Sequence, residues 1–91
     1  MMARNSSDNF DPALLKQAFG AVVTRHRVKL AMSRERFGEM VGIGGSHLSR
    51  IERGEYAPNL ITIRKIADGI GYTSGELLDE TDDYLIRHLL G

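Results

Sequence analysis

Apolar residues recur three and four positions apart along most of this chain, and alternation with a period of two is nowhere long enough for a strand. Leu14, Leu15, Ala18, Phe19, Val22 and Val23 form one helical stripe, which Leu30 extends. Asp11-Pro12 supplies an N-cap and a proline at the first helical position, so the first helix is predicted from about Pro12 to Ala31. Gly20 lies inside it at some cost in propensity, as a glycine does where a second helix comes close. Ser33 is the next cap, with Met32 and Phe37 placed as a hydrophobic staple. The second helix is short, about Arg34 to Val41, with Phe37, Met40 and Val41 inward and Gly42 ending it. Ile43 is an apolar plug in the turn, and Gly44 or Gly45 opens a third helix that carries Leu48 and Ile51 inward and stops at Gly54. After the loop Glu55 to Pro58, Asn59 caps a fourth helix from Leu60 to about Ile70, with Ile63, Ile66, Ala67 and Ile70 on one face and Gly71 after it. Thr73 to Glu76 has the form of a capping box and opens a short fifth helix with Leu77 and Leu78. Thr81 is expected to cap a last helix through Tyr84, Leu85, Ile86, Leu89 and Leu90.

The pair of short helices is the distinctive part. Two such helices joined by a glycine-bearing turn, the second with an inward apolar pair and an outward polar face, form a helix-turn-helix. Gly42 tolerates the positive φ of the turn, Ile43 anchors its corner, and Gly38 is small enough for the two helices to cross closely. The outward positions of the third helix are Ser46, His47, Ser49 and Arg50.

From residue 19 to residue 78 the chain resembles the phage-repressor (Cro-like, XRE-type) helix-turn-helix family. The likeness runs through Phe19-Gly20, Val23, Arg27, Met32-Ser33, Glu35, Phe37, Glu39 and Val41-Gly42-Ile43. It continues through Leu48-Ser-Arg-Ile-Glu-Arg-Gly54, Pro58, Ile63, Lys65-Ile-Ala67, Ile70-Gly71 and Glu76-Leu-Leu78. It implies an all-α fold, a compact five-helix lambda-repressor-like bundle containing the helix-turn-helix, here followed by a short C-terminal helix. It further implies that the third helix enters the major groove of double-stranded DNA. Ser46, His47, Ser49 and Arg50 would then face base edges, with Arg50 the foremost reader because Arg bidentate to guanine is the commonest specific contact. Arg34, the backbone at Gly45 and Arg53 would meet phosphates, which fix register without reading sequence. Arg27 and Glu52 match a pair that forms a structural ion pair in the family. Three positions depart from the pattern. Gly45 stands where a base-reading Gln is frequent, Gly44 where a Ser or Thr cap is frequent, and Glu55 where Lys is frequent.

Composition narrows the remainder. Ninety-one residues suit one domain, and 42% apolar with 26% charged residues is ordinary for a globular chain. No cysteine is present, so there is no disulfide framework or thiolate metal site. Met1 to Phe10 lacks the apolar stretch of a signal peptide, and no apolar run is long enough for a membrane span. A cytoplasmic protein is therefore expected, with residues 1–10 as a flexible tail, residues 11–78 as the DNA-binding domain, and residues 79–91 as an acidic linker plus a C-terminal helix. Net charge is zero, but residues 25–53 hold seven basic side chains against three acidic ones, while residues 59–91 hold three against six. A basic middle fits an anionic partner.

No set of residues suggests an enzyme, and neither a cofactor, a metal nor a small-molecule ligand is expected. His26, His47 and His88 lie far apart and lack metal-ligand spacing. His26 is expected to be a packed, hydrogen-bonded histidine and His88 a surface one. Gly42 to Ser46 has no GK[ST] ending and no preceding strand, so it is not a phosphate loop. The apolar tail suggests a homodimer through Leu77, Leu78, Tyr84, Leu85 and Leu89, unless the tail packs back on its own first helix. The expected function is a repressor acting as a homodimer on a palindromic operator. Two other readings stay open: an antitoxin that binds DNA and a toxin partner, and a protein-interaction module that has lost DNA binding.

Overall fold

The computed structural model describes residues 11–90; the expected N-terminal tail lies outside the described residues. Five α-helices follow in order: α1 Pro12–Lys29, α2 Arg34–Val41, α3 Gly45–Glu52, α4 Leu60–Gly69 and α5 Ser74–Tyr84. A π-helical segment, Leu85–Leu90, continues directly from α5. No strand occurs among the described residues.

Each start is made by the residue that the sequence marks for it. The side chains of Asp11, Ser33, Asn59 and Thr73 accept hydrogen bonds from the first-turn amides of Ala13, Arg36, Thr62 and Glu76. Glu76 bonds back to the amide of Thr73, which completes the capping box. Only α3 starts without such a bond, because its N-cap is Gly44.

The stops of α1, α3 and α4 share one construction. After each, a residue with φ between 58° and 77° (Ala31, Gly54 or Gly71) reverses the chain. The amides of that residue and the next donate back to the last-turn carbonyls, as in Ala31 to Val28 and Met32 to Arg27. Gly42, with φ 78°, ends α2 in a related way, its amide and that of Ile43 both donating to Gly38.

The core is one cluster to which every helix contributes: Phe19, Val22 and Val23 from α1, Phe37 and Val41 from α2, Ile43 from the turn, Leu48 and Ile51 from α3, Ile66 and Ala67 from α4, and Leu77 from α5. Gly20 admits α3 against α1: a Cβ there would sit 2.5 Å from the carbonyl oxygens of Ile51 and Glu52. Gly38 serves the turn rather than a helix crossing, since its Cβ would strike the carbonyl oxygen of Ile43.

Several expectations are corrected. Thr81 caps nothing; it is buried inside α5 and its hydroxyl donates to the carbonyl of Leu77. The acidic stretch expected as a linker therefore belongs to one continuous helix that runs into the π-segment. Leu30 and Met40, read as inward, are exposed, because α1 has already reached its cap at Leu30 and Met40 lies off the apolar stripe of α2. Leu77 is fully buried in the core and has no surface for a partner.

Candidate nucleic-acid interface

α3 is held from behind and open in front. Leu48 and Ile51 are fully buried, and Glu52 fixes the third inward position by charge. The Glu52 side chain is 1% exposed, and Arg27 grips it with two nitrogens at 2.7 and 3.1 Å. The same guanidinium donates to the carbonyl of Met32, so α1, the turn before α2, and α3 are joined at one cation. Arg34 adds a third bond to Glu52 through Nε at 2.9 Å. Thus the structure brings Arg27 and Glu52 together, and it places Arg34, read as a phosphate contact, on the same carboxylate. Arg34 remains 44% exposed, so the charge of this triad reaches the surface beside the start of α3.

Ser46 and Arg50 are exposed, while His47 and Ser49 are partly covered. Arg53 is bound to Glu55 at 2.7 Å and also donates to Ser49. The Arg53–Glu55 hydrogen bond lowers the pKa of Glu55 and raises that of Arg53. Arg53 stays charged and is paired with Glu55 at the surface, and Ser49 is partly occupied by it. Gly45, at the first position of α3, has no side chain, and no cap bond covers the N-terminal amides of this helix. No side-chain cap therefore competes for those amides at the positive end of the helix.

Tyr56 was not singled out by sequence. Its ring meets His47 edge-on with centroids 4.6 Å apart, and the Arg50 guanidinium lies 5.9 Å from its centroid. The available signal was an aromatic residue two places beyond the reversing Gly54.

A second polar cluster ties α1 to α5 away from this face. Glu80 accepts from Arg25 at 2.6 Å and pairs with His26 at 2.9 Å. His26 also stands edge-on to Tyr72, as befits the packed, hydrogen-bonded histidine expected from sequence. Burial pushes the Glu80 carboxyl up, but hydrogen bonds from Arg25, His26 and Tyr72 outweigh it and hold it down at about 2. Hydrogen bonding to Glu80, followed by burial, raises the Tyr72 phenol. The partner Glu80 lies more than fifty residues from His26, beyond the reach of any local pattern. Among the described residues no three His, Cys, Asp or Glu side chains gather as a metal site, and no helix is long and apolar enough to cross a membrane.

This arrangement, two short helices around an αL turn with the second exposing a polar row, defines a helix-turn-helix protein. Residues 25–77 match the helix-turn-helix family model, and the chain belongs to that family, in its XRE-type branch. It is 32% identical over 50 residues to an uncharacterized HTH-type transcriptional regulator of Methanothermobacter thermautotrophicus, a match spanning 55% of this chain and 72% of the relative. In fold it resembles two crystal structures of the clp gene regulator ClgR from Corynebacterium glutamicum. One gives a TM-score of 0.72 at 19% identity, covering 79% of this chain and 77% of the other. The second gives 0.67 at 20% identity, covering 76% and 90%.

Proposed function

We propose that this protein is a DNA-binding transcription regulator that represses by occupying a palindromic operator as a homodimer. The observation that carries the reading is α3 itself, locked from behind by Leu48, Ile51 and the Arg27–Glu52–Arg34 triad and offering Ser46, His47 and Arg50 outward. In this reading Arg50, His47 and Ser46 meet base edges, Ser49 stands at the margin, and Arg34, the Gly45 amide and Arg53 face phosphates. The dimer forms through the outer faces of α5 and the π-segment, where Leu78, Ile86 and Leu90 are exposed beside the partly covered Leu85 and Leu89. Tyr84 packs against the core and is at most a flank of that surface. Two copies would set their α3 helices in successive major grooves about 34 Å apart.

Selection of duplexes from a random library by the purified protein tests this. A palindromic consensus bound with a steep salt slope is the expected result. The pairing of Arg53 with Glu55 favours one other reading, a protein-interaction module without DNA binding. Absence of enrichment and of binding at low salt decides for that module.

A further inference from the structure

The chain reverses at Gly54, where the Gly54 amide donates to the carbonyl of Ile51 at 3.0 Å and the Glu55 amide to that of Arg50 at 2.9 Å. This reversal lays residues 55 and 56 back along the last turns of α3. Glu55 pairs with Arg53, and Tyr56 meets two of the four side chains of the outward row, His47 and Arg50. His47 and Arg50 are three residues apart on α3 and so share one face. Tyr56 is 37% exposed and does not join the hydrophobic core, unlike Tyr72 and Tyr84. An imidazole edge-on and a guanidinium within 6 Å are both attracted by an aromatic ring. A free arginine samples many rotamers, and one already held near its bound conformation loses less entropy on docking.

We propose that Tyr56 is a positioning residue for sequence readout. Its ring holds His47 and Arg50 in the orientation in which they meet base edges, so the loop after α3 sets part of the specificity of α3. This rests on the reading of α3 as the base-reading helix. The device needs the ring and not the hydroxyl, which separates it from a phosphate contact by the phenol.

The test compares Tyr56→Phe and Tyr56→Leu with the wild type, with Tyr56→Gln as a second ring-free variant should Tyr56→Leu melt lower. In the free protein, NMR resonances of the His47 ring and the Arg50 side chain should be displaced by the ring current in wild type and Tyr56→Phe, and should lose that displacement in Tyr56→Leu. On the selected duplex, Tyr56→Leu should lose about tenfold in discrimination at the base pairs that Arg50 and His47 read. Its binding to unrelated duplex and its salt slope should stay as in wild type, and Tyr56→Phe should match wild type throughout. Combining Tyr56→Leu with Arg50→Ala should cost no more at the Arg50 base pair than Arg50→Ala alone. Undisplaced resonances in the wild type overturn the proposal. So does a Tyr56→Leu protein that discriminates as wild type, or a Tyr56→Phe protein that binds every sequence more weakly with a shallower salt slope. If the wild type enriches no duplex, the reading of α3 fails first and the proposal falls with it. If it does enrich one and only the Tyr56 comparison fails, the reading of α3 stands.

Discussion

Glu52 is the residue on which α3 depends. A carboxylate this deeply buried is tolerable only with its charge matched, and Arg27 and Arg34 match it from α1 and α2. Arg27→Ala removes the bidentate partner and leaves Glu52 with Arg34 alone. It is expected to cost about 3 kcal/mol, read as a lower denaturation midpoint, because an incompletely paired buried charge is left behind. An unchanged midpoint with weakened DNA binding would reassign Arg27 from the scaffold to the interface. Arg50 sits on the opposite side of the same helix and carries no such burden. Arg50→Ala should leave the melt unchanged, cost about 1–3 kcal/mol on the selected duplex and relax preference at one base pair. An equal loss on every sequence would place Arg50 on phosphate.

At the scale of elements, the helix ends do most of the organising. Four short connections reverse the chain within a few residues, and in three the left-handed residue is glycine. Ala31, with φ 58°, is the exception, and its methyl group bears the steric cost of that conformation. Ala31→Gly is expected to stabilise the protein by about 0.5–1 kcal/mol, less strain outweighing the greater freedom of glycine in the unfolded chain. Thermal unfolding checks it; a lower melting temperature would show that the turn is unstrained. Helix starts were legible for the same local reason, since a cap and its first-turn amides lie within three residues. α5 was misread at Thr81 because a threonine whose hydroxyl bonds to the carbonyl four residues earlier resembles a cap in sequence but continues a helix in fact.

The described residues span 42 × 23 × 22 Å, and the long packing of α1 against α5 is fastened by the Glu80 cluster. The folded-state pKa of Glu80 lies near 2, below the ~4.3 of a free glutamate, so its contribution is complete above about pH 5 and fades as pH falls toward 2. Glu80→Gln should therefore cost about 1 kcal/mol at pH 7, or roughly 4–8 °C in a domain of this size, and should reduce the loss of stability between pH 5 and pH 2. An acid-unfolding curve identical to that of the wild type would remove Glu80 from this role. The other face of the tail carries the dimer prediction. Ile86→Asp with Leu90→Asp should leave the melt of the monomer intact while abolishing concentration-dependent dimerisation and weakening operator binding. Sedimentation measures the first and duplex titration the second; an unaltered dimer would move the interface elsewhere.

Residues close to one another in the chain determined what sequence alone could reveal: four caps, the three reversals at Gly42, Gly54 and Gly71, five helices and an outward row on α3; the reversal at Ala31, inside the expected first helix, appeared only in the structure. Caps, reversals and helices depend on hydrogen bonds that close within six residues, and the row follows from the helical period, so local chemistry suffices. Tertiary structure decided what depends on distant groups arriving at one place: Arg34 on Glu52, Glu80 on Arg25 and His26, the burial of Leu77, and Tyr56 between His47 and Arg50. Even Tyr56, only six residues from Arg50, needed the fold, because a reversal specifies where the chain returns and only packing specifies which side chains then meet.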